Sequence, residues 1–538
     1  MDMKKKRFLS VILVCVLVLL VACSKDKTET KVTPTPTVDA TETDKSNDSE
    51  PTPTPTEALL DEVNTEPTAE ELAAFEAFDQ IYEAEDAKLL GRAIVDSKKE
   101  GFSGTGYVDG MANDNDGCEF TITVPANGFY DLNFVSASYD GHKENTIQVD
   151  KDNIGVAIIE EKEFSDSIMN KVYMTKGEHT IKIIKSWGWI YLDYLRITPS
   201  KPMDETVFNV SSTLINPNAD DNTKRLMSFL TDNYGKYTLA GQFADKGRYS
   251  KELWAIQQAT GNKIPAILGL DLMEYTPSRV EKGSTSKTVE YAIEFDQLGG
   301  IISMCWHWNA PTKYLTTKEP WYSGFYTKAT TIDLAKIMNG EDKEGYDLLI
   351  SDIDAIAEQL KRIQEAGVPL LWRPLHEASG GWFWWGAAGS DAYKELWKLL
   401  YDRLTNYHKI NNLIWVWNGQ NKDWYPGDEF VDIIGEDIYP GEKVYTSQIG
   451  KFNAALDYTD TNKIIAMTEN GCLFDPDLAF RDDARWAWFS TWSGDFVIDT
   501  LGALSEQYNE RDMLNKVYNH EKVLTLDELP DLKNYPIK

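Results

Sequence analysis

Cysteine and positive charge are both scarce in this sequence, and each shortage removes a class of function. Of five cysteines in 538 residues, Cys15 and Cys23 fall in an N-terminal hydrophobic segment. The others, Cys118, Cys305 and Cys472, are too widely spaced to frame a disulfide scaffold or a cysteine metal site. Beyond Lys4-Lys5-Lys6-Arg7 there is no useful basic run, and the formal charge of −32 offers no footprint for a phosphate backbone, which excludes nucleic acid as a partner. Long apolar runs are missing too. Residues 8–22 come nearest, and at about 15 residues they fall short of the roughly 20 that a spanning helix needs.

Aromatic rings are abundant by contrast: 12% of residues, with 17 tryptophans, in a chain that is 42% apolar. That length and apolar content leave room for two or three domains with large cores. Flat rings stack on the apolar faces of sugars while polar side chains read the hydroxyls. An acidic, ring-rich chain therefore points to an uncharged ligand, carbohydrate above all.

The basic cluster and the apolar segment after it read as a signal peptide over residues 1–22. Leu20-Val21-Ala22-Cys23 resembles a bacterial lipobox, which implies cleavage before Cys23, lipid on its thiol and anchoring to the outer face of the cell membrane. Residues 23–77 are Thr, Pro, Glu and Asp with few large apolar groups, so they cannot offset their own ordering entropy and read as a disordered, self-repelling tether.

From residue 78 to 200 the pattern becomes short alternating runs, such as Glu119-Phe120-Thr121-Ile122-Thr123-Val124, punctuated by Pro125, Gly128, Gly141 and Gly177. Alternation at this spacing predicts a β-sandwich. Tyr82-Glu83-Ala84-Glu85, Ser103-Gly104-Thr105-Gly106-Tyr107-Val108, Val124-Pro125-Ala126-Asn127-Gly128-Phe129-Tyr130 and Trp187-Gly188-Trp189-Ile190-Tyr191-Leu192-Asp193-Tyr194 resemble carbohydrate-binding module family 35. The resemblance implies a structural calcium held by Glu83, Glu85 and Asp193, all hard oxygen donors. It also implies a sugar-stacking ring at Trp187 or Trp189.

After a linker at 201–216, the pattern from 217 to 538 repeats as strand, loop and helix. Strands are predicted at 238–243, 264–272, 300–308, 368–377, 412–419, 431–439, 463–471 and 486–494, with amphipathic helices such as 252–259, 352–365 and 392–407 between them. Eight strands suit a closed (β/α)8 TIM barrel. The alternative, an open doubly wound sheet, would carry a Gly-rich phosphate fingerprint after its first strand, and none is present.

A barrel of this kind keeps its chemistry at the C-terminal strand ends. Those ends supply Asp271, Glu274, Trp306, His307, Trp308, Asn309, Arg373, His376, Glu377, Trp417, Asn418, Asp437, Tyr439, Glu469, Asn470 and Trp492. Glycoside hydrolysis needs two carboxyl groups across the scissile bond, and Glu377 with Glu469 is the best pair, with Asp437 and Asp271 as rivals. Glu377 is flanked by His376 and a run of tryptophans, surroundings that desolvate a carboxyl and raise its pKa toward general-acid work.

The motifs Gly300-Ile301-Ile302-Ser303-Met304-Cys305-Trp306-His307-Trp308-Asn309, Leu370-Leu371-Trp372-Arg373-Pro374-Leu375-His376-Glu377, Gly435-Glu436-Asp437-Ile438-Tyr439, Thr468-Glu469-Asn470-Gly471 and Phe489-Ser490-Thr491-Trp492 resemble glycoside hydrolase family 26. That family is a retaining one dominated by endo-β-1,4-mannanases. The resemblance implies Glu377 as acid/base, Glu469 as nucleophile and Tyr439 as its orienting partner. His307, His376, Trp382 and Trp492 would line the subsite of the attacked sugar. Trp321 and Tyr322 are candidates for a further subsite. The leading expectation is a surface-anchored endo-β-1,4-mannanase, monomeric, acting on β-mannan and needing no cofactor for catalysis. Lichenase or β-1,3-xylanase activity on the same scaffold, and a non-catalytic glycan-capture lipoprotein, are the alternatives.

Overall fold

The computed structural model describes residues 68–538. The signal segment, Cys23 and most of the expected tether lie outside the described residues. Tether was expected through residue 77, but Ala69–Glu76 forms a helix. A reciprocal capping box between Thr68 and Glu71 starts it. Phe75 and Phe78 then pack edge-on against Tyr130, with ring centroids 5.0 and 5.7 Å away, so the helix closes one end of the sandwich.

The sandwich has two antiparallel sheets. One is ordered Ile94–Asp96, Tyr107–Asp109, Ile190–Pro199, Gly128–Ser138, Ile168–Met174, with Gln80–Glu83 also paired to Ile190–Pro199. The other runs Lys88–Leu90, Gly117–Val124, Gly177–Trp187, Lys143–Val149, Asp152–Ile159. Phe120, Ile122 and Val124 face the core while Thr121 and Thr123 face water, the alternation expected of a half-buried strand.

Eight parallel strands close the barrel: β1 (Gly241–Phe243), β2 (Ile267–Asp271), β3 (Ile301–Trp306), β4 (Leu370–Pro374), β5 (Leu413–Trp417), β6 (Ile433–Ile438), β7 (Ile464–Asn470) and β8 (Phe489–Thr491). All eight predicted strands are there, but several are shorter than expected. The run at 238–243 divides, since Thr238–Leu239 leaves the barrel and pairs instead with Val523–Leu524. The run at 368–377 stops at Pro374, so Glu377 stands beyond the strand. The expected helices are also found, as Lys251–Thr260, Lys343–Glu365 and Ser390–Tyr401, the last continuing through a π-helical turn, Asp402–Tyr407. The second begins well before residue 352 because Asp342 caps its N-terminus, accepting from Gly345 N.

The segment from 201 to 216 lies against the barrel. Phe208 packs on Tyr234 and under the Arg485 guanidinium, and Ile215 N donates to the buried carboxylate of Asp432. The sandwich meets the barrel through Lys171, which pairs with Asp483, and through Phe129 and Tyr173, which flank Arg481. Arg481 and Asp483 precede β8, so this contact is at the N-terminal end of the barrel, away from the mouth. Trp187 closes the end of the sandwich opposite to that contact, because Gly128 pairs with Met174 at one end while Ile190 pairs with Ser138 at the other.

Candidate active site

Two residues just past β4 have left-handed backbone, Leu375 (φ 52°) and Glu377 (φ 53°). Non-glycine residues adopt this conformation at a cost, and it commonly marks functional turns. Here the turn lifts Glu377 out of the strand direction into the mouth, where its N–H donates to Asn418 O at 2.8 Å. Trp382 Nε1 donates to Glu377 Oε2 at 2.9 Å. The Trp382 ring itself remains 47% exposed along the cleft.

Glu469, on β7, is held from two sides. Arg373, from β4, donates to its Oε2 at 2.5 Å, and the Tyr439 hydroxyl donates to its Oε1. The same guanidinium donates to Asp437 Oδ2 at 2.6 Å, and Thr468 Oγ1 donates to Asp437 Oδ1 at 2.8 Å. Arg373 is fully buried. Burial works against its charge, but Asp437 and Glu469 outweigh burial and keep it protonated.

Carboxyl oxygens of Glu377, Asp437 and Glu469 all lie within 4.8 Å of one another. Three acids this close, facing one guanidinium, cannot all ionise together near neutrality. Burial, then the negative charge of Glu469, raises Glu377 to about 7, with the Trp382 N–H opposing the rise. Asp437 is raised as well, by burial and by the two glutamates, although Arg373 opposes it. The cluster thus holds a proton available for donation at neutral pH.

This electrostatic arrangement has a direct kinetic consequence. The alkaline limb of kcat/KM should fall with an apparent pKa near 7, the value to which Glu377 is raised, because the acid must be protonated to act. Since the Trp382 N–H stabilises the ionised carboxyl, Trp382→Phe should move that limb to higher pH. A pH–rate profile of the two proteins checks this, and an unmoved or lowered limb contradicts it.

The histidines form a chain with Asp271. His307 Nδ1 lies 2.6 Å from Asp271 Oδ2, and His307 Nε2 lies 3.1 Å from His376 Nε2. Trp492 stands 5.7 Å from the His307 ring and 4.7 Å from Phe243. Phe383 packs edge-on to both imidazoles, and Phe325 to His307. Glu377, Glu469, Tyr439, His307, His376, Trp382 and Trp492 thus converge on one mouth, joined by Phe243, Phe325 and Phe383, which the sequence reading did not single out.

Three expected mouth residues are elsewhere. Trp306, Trp308 and Trp417 are completely buried on the helix side of the barrel wall. Trp306 Nε1 donates to Thr276 Oγ1, Trp308 Nε1 donates to Asp352 Oδ2, and Trp417 packs on Tyr425 and Tyr458. Side chains alternate between the two faces of a strand, so with Cys305 and His307 turned inward, Trp306 and Trp308 must turn outward. Trp321 and Tyr322 are partly exposed on the connection after β3, which Arg279 anchors by donating to Tyr322 O and stacking 5.9 Å from Trp321.

In the sandwich, Trp187 is 59% exposed. Trp189 is partly buried, donates to Asp109 Oδ1 at 2.6 Å and stacks on Tyr139. Glu83, Glu85 and Asp193 gather on the Ser103–Gly106 turn. Ser103 N donates to both oxygens of Asp193, Ser103 Oγ to Glu83, and Thr105 N and Gly106 N to Glu85 Oε1. Glu85 Oε2 is buried without a hydrogen-bond partner. A side chain at Gly104 would collide with the carboxylates of Glu83 and Glu85.

A family profile described as glycosyl hydrolase family 26 matches residues 215–528, more than half of the chain. The chain belongs to glycosyl hydrolase family 26. Ahead of this family 26 domain, residues 80–200 match carbohydrate binding module family 35. A mannan endo-1,4-beta-mannosidase of Thermothelomyces thermophilus is 44% identical over 83% of this chain and 90% of that protein. Mannan endo-1,4-beta-mannosidase B of Piromyces sp is 36% identical over 84% of this chain and 77% of its own length. Among solved structures, the GH26-CBM35 beta-(1,4)-mannanase of Podospora anserina matches 85% of this chain and 99% of its own, with 40% identity and a TM-score of 0.60. The Podospora anserina mannanase carries, by its description, both a GH26 and a CBM35 part.

Proposed function

We propose that this glycoside hydrolase is an endo-β-1,4-mannanase that retains anomeric configuration, with Glu377 as acid/base and Glu469 as nucleophile. The observation that carries the reading is the spacing and opposite preparation of the two glutamates. Their oxygens approach within 4.8 Å, close to the roughly 5–5.5 Å of retaining pairs and too close for an intervening water. Glu469 faces Arg373 and the Tyr439 hydroxyl, two donors that stabilise a carboxylate, whereas Glu377 is raised to about 7. Glu377 protonates the glycosidic oxygen as Glu469 attacks the anomeric carbon, giving a glycosyl ester. Glu377 then takes a proton from water, which displaces Glu469 and returns both groups to their starting states.

The names of the relatives support mannan as substrate. His376 and His307 beside the acid suit a sugar with an axial 2-hydroxyl, and a site built for one hydroxyl geometry leaves buried polar groups mispaired with the other. Mannan should be preferred over cellulose-type glucan by on the order of 10² or more in kcat/KM. The test is digestion of mannan, glucomannan, lichenan and xylan with product sizes followed over time. Early mid-length fragments from mannan support the reading. Equal or faster cleavage of lichenan or xylan replaces the substrate, and no cleavage of any of them returns the glycan-capture alternative.

In the module, Trp187 is the better candidate for the stacking ring, since its ring is open while Trp189 is engaged by Asp109 and Tyr139. Calcium at Glu83, Glu85 and Asp193 is supported by the unpartnered buried oxygen of Glu85 and by Asp193, raised by burial and by the two glutamates around it. These acids are less tightly drawn together than the trio in the barrel, and the turn donors occupy several of their oxygens, so a cation would compete with those hydrogen bonds. A chelator should lower the melting temperature of the whole protein's module transition, because an ion bound only to the folded state stabilises it. An unchanged melting curve removes calcium from the account. Lipid on Cys23 would hold the enzyme at the cell surface, and radiolabelled acyl incorporation that is lost in Cys23→Ala tests it.

A further inference from the structure

Glu469 has one donor on each oxygen, and the two donors are held differently. Arg373, on Oε2, is fully buried and pinned between two acids. Tyr439, whose hydroxyl donates to Oε1, lies just beyond β6 and is 43% exposed, so the packing of a core does not fix its ring. Two neighbouring loops do. Gly471, past the end of β7, donates from its N to Ile438 O at 3.2 Å, and its backbone runs so close that a Cβ there would sit 2.7 Å from both the Tyr439 and the Phe496 rings. Phe496, in the connection from β8 to the helix Arg511–Tyr518, packs 5.3 Å from the Tyr439 ring and 4.5 Å from Tyr508.

The buried side chain of Asn509 joins these two loops. Its Oδ1 accepts from Leu473 N at 2.6 Å, and its Nδ2 donates to Gly471 O and to Phe496 O, both at 3.2 Å. The orientation is forced, since a backbone N–H needs the amide oxygen and two carbonyls need the amide N–H groups. Both N–H donors are thereby used, one on each loop. We propose that Asn509 is a positioning residue for the nucleophile: by tying the loop after β7 to the connection after β8 it holds Phe496 against Tyr439, and so keeps the Tyr439 hydroxyl on Glu469. The inference rests on the reading of Glu469 as nucleophile and deepens it. Asn509 itself touches no reacting atom, so its effect on the chemistry must pass through the Tyr439 hydroxyl and vanish when that hydroxyl is absent.

Asn509→Leu keeps the size of the side chain and removes all three bonds. It is tested in a double-mutant cycle with Tyr439→Phe in the full protein, at a temperature where circular dichroism shows every variant folded. The substrate is an aryl mannoside with a good leaving group, for which kcat/KM reports attack by Glu469 without help from the acid. Each single variant should lower kcat/KM on the order of 10-fold, the scale of one hydrogen bond to a charged group. In the Y439F background, N509L should cost less than about 2-fold more, the non-additivity of residues acting through one contact. A loss through Trp492, which lies on the same connection as Phe496, or through general loosening would persist in that background. A crystal structure of N509L should show the Tyr439 hydroxyl out of hydrogen-bond reach of Glu469.

Equal losses from N509L in the two backgrounds overturn the proposal. So does a Tyr439 hydroxyl that stays on Glu469 in the N509L crystal, or a Y439F enzyme with undiminished kcat/KM. If N509L does not fold, Phe496→Leu, which leaves the three Asn509 bonds in place, enters the cycle instead, and equal losses in the two backgrounds again decide against the role. Should the unsubstituted enzyme cleave no mannoside, the reading of the site fails by itself, and the position of Tyr439 in the N509L crystal alone decides the assignment of Asn509.

Discussion

Glu469→Ala should abolish turnover of every glycoside, polymer and aryl glycoside alike, with a loss on the order of 10⁴-fold or more, because Glu469 is the group that attacks the anomeric carbon in this reading. Glu377→Ala should behave differently. A general acid contributes on the order of 10²–10⁴-fold where the leaving group must be protonated, and little where it leaves unaided. Cleavage of mannan should therefore collapse in Glu377→Ala, while the first step with a dinitrophenyl mannoside persists and the glycosyl ester accumulates as a burst. Asp437, within 4.8 Å of both glutamates, is the group that could invalidate this division of labour. If Glu469→Ala keeps a burst and Asp437→Ala loses it, the nucleophile has been misassigned.

Arg373→Met should be the most damaging single change to stability near the site. The guanidinium is fully buried between Asp437 and Glu469, with contacts of 2.6 and 2.5 Å. Removing one partner of such a network leaves uncompensated buried charge and costs about 3–5 kcal/mol. The pH dependence follows from the sign of the effect. Without the cation, Asp437, already raised in the intact protein, has its folded-state pKa raised further, so the variant's deficit grows as pH rises through the folded value of Asp437 in the intact protein and shrinks as pH falls below it. Denaturant midpoints at acidic and neutral pH measure this. Arg373→Lys should fall between the two, since an ammonium keeps the charge but cannot bridge both acids as a planar fork. A pH-independent deficit would mean that Arg373 acts through packing rather than charge.

Much of this architecture was legible in the sequence because barrel enzymes place their chemistry at strand ends, where a buried run stops at a polar residue. Ile464–Asn470 is of that kind, and so is the run leading to Glu377. What was not legible depends on register and on which face a residue takes. Asp271 was weighed as a rival carboxylate, but the pairing that sets Asp271 beside Cys305 brings it to His307 as a hydrogen-bond partner. Trp306, Trp308 and Trp417 share the composition of a sugar site and belong to the core, a distinction that rests on strand alternation at a bulge-free β3 and β5. Phe325 comes from a connection of irregular path, for which no periodicity exists to read. The helix Ala69–Glu76 did carry a signal, since Thr68-x-x-Glu71 is a capping box, but the proline- and acid-rich composition around it masked the motif.

The measurement that bears most directly on the two-glutamate account is the anomeric configuration of the first product. Proton NMR of mannan oligosaccharide hydrolysis, recorded faster than mutarotation, should show the β-anomer of the new reducing end appearing first and the α-anomer only later, as expected for a covalent intermediate on Glu469. The α-anomer appearing first would require a water between the two carboxyl groups, which a spacing within 4.8 Å does not admit, and would contradict the assignment.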